Sequence, residues 1–346
     1  MSEEDLSDSG LPADVDTPIV AIFAADLKPG TVRRSITWPW WCIILIVAGT
    51  VVAASLIQAF FLIAGFLLSQ YPDFAITKAE FRQYSEELTA TISGNFLMIV
   101  PNQLVFLIVA IWVGRMSGER WRAQMRLKMP SGAAGGWVPA IIATIAVGMV
   151  PSMIFGYFFP EPDPYFESLQ AWMQSVHGLS AVVLVILLSV TPGICEEFLF
   201  RGFLLGALQQ RWSLLRIITV TTLCFAAAHL NPTHALLIIP IGLWLTVMAI
   251  AYDSIYPCII AHILNNAVAV SFTIWLPEDG SLFATIPLML ILGLSAYSFL
   301  LALGPMIRNL RRVAAESSTA GGTEGDSPFA EVDPASQSDE DPLGSC

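Results

Sequence analysis

Three short patterns of polar residues interrupt a chain that is otherwise strongly apolar. The first is Cys195-Glu196-Glu197-Phe198-Leu199-Phe200-Arg201-Gly202, two adjacent carboxylates and an arginine just after the apolar run 180–190. The second is Phe225 with His229 four positions on, and the third is His262 followed by Asn265 and Asn266. Ionisable side chains inside or beside membrane-grade apolar segments are costly to keep, so they count as candidate functional residues by default. On a helix, Glu197 and Arg201 share a face and can pair, whereas Glu196 is turned away by about 100°. A free carboxylate of that kind can take a proton from water as a general base. One structural ion cluster of both glutamates and Arg201 accounts for the same spacing. His229 alone reads as a packed histidine as readily as a catalytic one. His262 and Asn266 share a helix face and can offer two donors to a carbonyl oxygen as charge develops on it, the oxyanion-hole arrangement. Asn265 can stand in for Asn266, and hydrogen bonding between helices is the alternative use of these groups.

The elements that must position these residues are membrane spans. With 55% hydrophobic and 13% charged residues in 346, the composition is that of an all-α polytopic membrane protein. Eight transmembrane helices are expected, near 41–68, 96–113, 138–159, 179–190, 215–230, 235–251, 256–276 and 282–306. Trp38, Trp40 and Trp41 form an aromatic belt ahead of the first. The glutamate-bearing helix, about 194–210, is separated from the fourth span by Thr191-Pro192-Gly193 and is expected to insert only partway. The run of alternating prolines from Pro160 to Pro164 is expected as a loop. With both termini cytoplasmic, 14 of the 16 Lys and Arg residues fall on the cytoplasmic side, leaving only Lys78 and Arg82 outside; this follows the positive-inside rule. In that alternation His229 falls near the far end of its span and His262 near the opposite face, so for the three patterns to meet the fifth span must be short or offset, or the glutamate helix must sit deeper.

The chain divides into an acidic tail (1–38), a group of N-terminal spans (39–178), the span-rich part holding the three patterns (179–307) and a second acidic tail (308–346). The net charge of −12 comes largely from the tails: residues 1–38 and 313–346 hold seven and eight acids, 15 of the 28. Both tails read as disordered and solvated, and the absence of a dense basic stripe argues against nucleic-acid binding. The first 35 residues lack the charged start and apolar core of a cleavable signal peptide, so the first span is expected to act as the insertion signal. The cysteines show no CxxC spacing and read as packing residues. His177 and His234 lie in expected loops and receive no role, although His234 is close in sequence to His229.

Taken together, Glu196-Glu197-xxx-Arg201, Phe225-xxx-His229 and His262-xxx-Asn266 resemble the motifs of the CPBP family, intramembrane proteases related to the type II CAAX prenyl endopeptidase and to the Abi proteins of bacteriocin processing and immunity. The resemblance spans about 180–269. It implies that Glu196, helped by His229, activates the attacking water, that His262 and Asn266 stabilise the oxyanion, and that Glu197, Arg201 and Phe225 support the site. It also implies a peptide or protein substrate, membrane-associated or lipidated. With both tails inside and no ER-retention or other targeting motif in the sequence, an integral protein of a bacterial inner membrane is expected. The family has been described both as metal-independent glutamate proteases and as metalloproteases. A metal-free, cofactor-free mechanism is the reading adopted, with zinc on Glu196, His229 and His262 as the alternative. A non-proteolytic, immunity-type or peptide-binding protein would keep the same motifs, and a proton-coupled transporter is a further alternative, weakened by the lack of an internal repeat.

Overall fold

A computed structural model describes residues 38–70, 77–118, 120–159, 161, 163–209, 212–276 and 282–322. The described residues form helices and no strand: α1 (Trp40–Ser69), α2 (Lys78–Thr89), α3 (Ile92–Met116), α4 (Trp121–Gln124), α5 (Ala134–Phe158), α6 (Pro164–Ser175), α7 (Gly178–Leu208), α8 (Leu214–Ala227), α9 (Pro232–Ala251), α10 (Tyr256–Trp275) and α11 (Leu282–Gly322). Seven of these, α1, α3, α5, α7, α9, α10 and the Thr285–Ala315 part of α11, are long and apolar enough to cross a membrane. Their outward faces carry large apolar side chains such as Leu56, Phe60, Ile108, Trp112 and Leu300, as a lipid-facing surface requires.

Seven is one fewer than the eight expected, and the difference lies in α8. Its 14 residues extend about 21 Å at 1.5 Å per residue, short of the roughly 30 Å hydrocarbon core. The contacts at its two ends show what it does instead. Just before α8, Trp212 stacks at a tilt against Trp40, with centroids 5.8 Å apart. The same end of the bundle holds Arg126, which donates to Gln209 and lies 3.4 Å from Asp253. Ser254 donates to the Lys128 carbonyl there (2.6 Å), and Gly132 faces the Asn309 amide of α11. Just after α8, Thr233 donates to Asp163 (2.7 Å), at the end where Gln174 of α6 donates to the Thr273 carbonyl (3.3 Å). The short helix and the non-helical turn after it therefore join the two ends together. The start of α1 and the Asn309 turn of α11 lie at the same end.

The expected break at Thr191-Pro192-Gly193 is absent. The helix runs through Pro192 and on through the glutamates to Leu208, so the glutamate segment is the second half of a 31-residue span and not a separate partial insertion. A proline inside a helix leaves the carbonyl four residues earlier without its donor. For Pro192 that carbonyl belongs to Leu188, and it accepts instead from Asn266 Nδ2 of α10 at 3.3 Å. Neighbouring hydroxyls reinforce the turn, with Thr191 donating to the Leu187 carbonyl (2.6 Å) and Ser189 to that of Val185 (2.5 Å). Beyond the glutamates, Phe198–Leu204 adopts a π-helical turn, a feature that often marks functional sites. All of Leu199–Leu205 is buried, because α7 packs against α10 and α3 while its π-turn meets α8 and α9.

Two further differences from expectation concern the flanks. An amphipathic helix, α6, follows the proline run, with Pro164 at its first turn and Asp163 accepting from the Tyr165 amide (2.8 Å). The last helix continues to Gly322, into the segment expected as a tail from residue 308. The rest of that tail, and residues 1–37, lie outside the described residues.

The close approach of α7 and α10 depends on Gly193, where a Cβ would meet Ile263 Cγ1 at 2.5 Å and the Ile263 amide nitrogen at 3.1 Å. Gly193→Val should therefore destabilise the protein by about 1–3 kcal/mol through overpacking, seen as earlier thermal unfolding in detergent. An unchanged transition would contradict the contact.

Candidate active site

At the junction of α7, α9 and α10 lies a fully buried ion pair. Arg201 Nη1 donates to Glu197 Oε1 at 2.7 Å, and both side chains are shielded from solvent. The guanidinium has two further contacts, while its Nε has no partner in the protein. Its Nη2 donates to the Gly242 carbonyl of α9 (3.0 Å), and its central carbon lies 4.2 Å from the centre of the Phe225 ring, a cation–π contact in a desolvated setting. The same Glu197 oxygen is 2.8 Å from His262 Nδ1. An ionised carboxylate only accepts, so His262 carries its proton on Nδ1 and its Nε2 is left for other work.

Glu196, one residue earlier, is arranged differently. Its carboxylate is buried, with Oε1 accepting from Gln103 Nε2 of α3 (3.2 Å) and Oε2 without a partner in the protein. Both glutamates leave Oε2 without a partner in the protein, and they differ at Oε1: that of Glu197 meets Arg201 and His262, whereas that of Glu196 accepts only from the neutral Gln103 amide. Gln103 is the residue that sequence reasoning missed. The available signal was the polar pair Asn102-Gln103 beside Pro101 inside an apolar span, where an amide side chain is as noteworthy as a charge.

His229 lies just past the end of α8, its Nδ1 3.0 Å from the Phe225 carbonyl. A carbonyl only accepts, so Nδ1 holds the proton and the neutral ring offers the lone pair of Nε2. Phe225 binds the three patterns together. Its ring meets Phe200 (5.3 Å), His229 (5.3 Å) and His262 (5.9 Å) edge-on, besides receiving Arg201. Gly242 packs against this ring, where a Cβ would come within 3.0 Å of it. Four-residue spacing at the end of α8 is what places His229 beside this ring.

Asn266 occupies the turn after His262, one of its donors committed to the Leu188 carbonyl. Asn265 donates to Asn266 Oδ1 (3.3 Å) and packs against Gly148 of α5. The structure therefore brings Glu196, Glu197, Arg201, Phe225, His229 and His262 together, with Asn266 at the proline gap one turn away. His234, expected in a loop, stands instead in the first turn of α9, its ring centroid 4.7 Å from that of His229. Among the described residues no three His, Cys, Asp or Glu side chains are gathered as a metal ion requires. In the alternative zinc set, Glu196 is bonded to Gln103, His229 to the Phe225 carbonyl and His262 to Glu197.

Residues 178–268 match the family model described as type II CAAX prenyl endopeptidase Rce1-like. The matched stretch runs from the start of α7 into α10 and contains all three patterns, which supports the CPBP/CAAX protease family for this part of the chain. No curated protein and no solved structure matches the chain.

The buried pair generates a direct expectation. Arg201→Met leaves the Glu197 charge buried without its cation and should cost about 3–5 kcal/mol of stability. Adding Glu197→Gln should recover part of that loss. A double-mutant cycle of SDS-induced unfolding in mixed micelles measures both; additive effects would mean that the pair is not coupled.

Proposed function

We propose that the protein is an intramembrane endopeptidase that hydrolyses a peptide bond in a membrane-associated or lipidated substrate. The observation that carries this reading is the buried, unpartnered Oε2 of Glu196, a carboxylate with no cation bonded to it, beside a Glu197 that is paired with Arg201 and His262. An uncommitted carboxylate oxygen in a dry site is what a general base for water needs, and the family match names the same class of chemistry.

The steps follow from the groups in place. Water gives one proton to Glu196 Oε2 and donates its other O–H to the His229 Nε2 lone pair, which orients it, and the water oxygen attacks the scissile carbonyl carbon. The carbonyl π electrons move onto oxygen, where His262, charged and hydrogen-bonded through Nδ1 to Glu197, donates from Nε2. Asn266 has two amide hydrogens, of which one serves Leu188; the second is the other donor to the oxyanion. The tetrahedral intermediate collapses as Glu196 passes its proton to the departing nitrogen, breaking the C–N bond and releasing an amine and a carboxylic acid. No step uses a metal ion. The end of the bundle bearing Arg126, Lys128 and Arg308 is the cytoplasmic face of a bacterial inner membrane, in keeping with the positive-inside rule.

The test is cleavage of a quenched fluorescent peptide by detergent-solubilised protein. The peptide ends in farnesyl-cysteine and three further residues, and an unlipidated copy is run beside it. Glu196→Gln and His262→Ala should each lower kcat by about 10²–10⁴-fold, and a strong zinc chelator should leave the wild-type rate unchanged. Undiminished cleavage by Glu196→Gln would sink the mechanism. Tight peptide binding without turnover by the wild type would favour the non-proteolytic reading.

A further inference from the structure

His234 belongs to none of the three motifs, yet its surroundings are those of a site residue. Its ring stands edge-on to that of His229, at 4.7 Å and 74° between planes. Two aromatic side chains of α6 wall it on other sides, Tyr165 at 6.0 Å and Phe166 at 5.5 Å. Its Nδ1 is buried and has no hydrogen-bond partner in the protein. A histidine kept only for packing usually satisfies such an atom, because a buried polar nitrogen without a partner is costly.

The backbone is arranged to bring the two histidines together. Between them, Leu230 adopts φ +55°, a left-handed conformation unusual for a bulky residue. It is 71% exposed, so no packing of its own side chain explains that conformation. Asn231 then caps α9 by accepting from the His234 amide at 2.7 Å, and Thr233 is tied to Asp163 at the root of α6. Strain of this sort, held in place by surrounding bonds, clusters at functional sites.

From this geometry we propose that His234 is a positioning residue of the reaction site. It acts through His229: the paired rings hold His229 Nε2 in its working direction, and the buried Nδ1 of His234 adds a hydrogen-bonding group beside the oxygen that His229 orients. The inference rests on the hydrolytic reading above and extends it to α6, which supplies the walls of the histidine pair. Asp163, Tyr165 and Phe166 thereby connect a helix outside the family match to the site.

Three substitutions separate this role from packing. His234→Phe keeps a ring between Tyr165 and Phe166 but has no nitrogen, His234→Asn keeps a polar group near the Nδ1 position, and His177→Ala, at an exposed histidine, serves as control. In the peptide assay His234→Phe should lower kcat by about tenfold or more with KM nearly unchanged and with an unaltered melting transition. His234→Asn should recover part of the loss, and His177→Ala should match wild type. Binding of the phosphinic-acid analogue of the same peptide, which mimics the tetrahedral intermediate, gives a readout that needs no turnover. His234→Phe should weaken it about tenfold, more than it weakens binding of the parent peptide to a Glu196→Gln background. Wild-type kcat and analogue affinity in His234→Phe would overturn the proposal, as would failure of the wild type to bind the analogue. If the wild type binds the analogue but does not cleave, and His234→Phe weakens that binding, the hydrolytic reading fails while the role of His234 stands.

Discussion

The arrangement of this protein depends on one oxygen atom. Glu197 Oε1 accepts from Arg201 within its own helix and from His262 across the bundle, and Arg201 reaches on to the Gly242 carbonyl of a third helix. In a lipid-facing bundle the apolar outer surfaces supply little preference for one helix arrangement over another, since lipid is as apolar as leucine. Directional bonds between buried charged groups do supply that preference, because removing any one member leaves a charge without water or partner. The Glu197 cluster thus sets the relative positions of α7, α9 and α10, and Phe225 of α8 fits into the space the guanidinium defines. The helices that carry the chemistry are the same ones that this carboxylate fastens.

The path of α7 is the second constraint. A helix that crosses the membrane with a proline in it must find another donor for the freed carbonyl, and here that donor is Asn266. The asparagine that the motif resemblance assigns to the oxyanion is therefore also the splice that lets α7 pass Pro192 unbroken. Downstream, the π-turn at Phe198–Leu204 reorients the helix just after the glutamates, while Gly202 and Gly206 allow Met125 and the Gln124 carbonyl to approach. Structural continuity and reactive groups are carried by the same few residues, so neither can change without the other.

This double use explains what could and could not be read from the chain. The pairing of Glu197 with Arg201 was legible because four-residue spacing on a helix is a local property. The course of the chain at Pro192 was not legible: its helix survives through a donor on α10, 74 positions after the proline in sequence, and a local rule about proline cannot see that bond. The shortness of α8 was suggested only by the depth at which His229 had to lie, since Leu215–Leu230 is apolar throughout most of its length. Gln103 escaped notice because a single amide in an apolar span carries no pattern; its meaning comes entirely from Glu196 on the facing helix.

Charge balance links these pieces to the reaction. Arg201 and Glu197 cancel, leaving the buried remainder to Glu196, His229 and His262. In a medium of low dielectric a net charge is strongly disfavoured, and the proposed attack creates none. As Glu196 takes the proton from water its negative charge vanishes, and an equal charge appears on the substrate oxygen beside the still-positive His262. The site thus moves a negative charge from one position to another without changing its total, which suits hydrolysis in a place where water and counter-ions are scarce. Gln103, by donating to Glu196 Oε1, fixes that carboxylate while leaving Oε2 bare, and so belongs to the site as much as the residues of the motif.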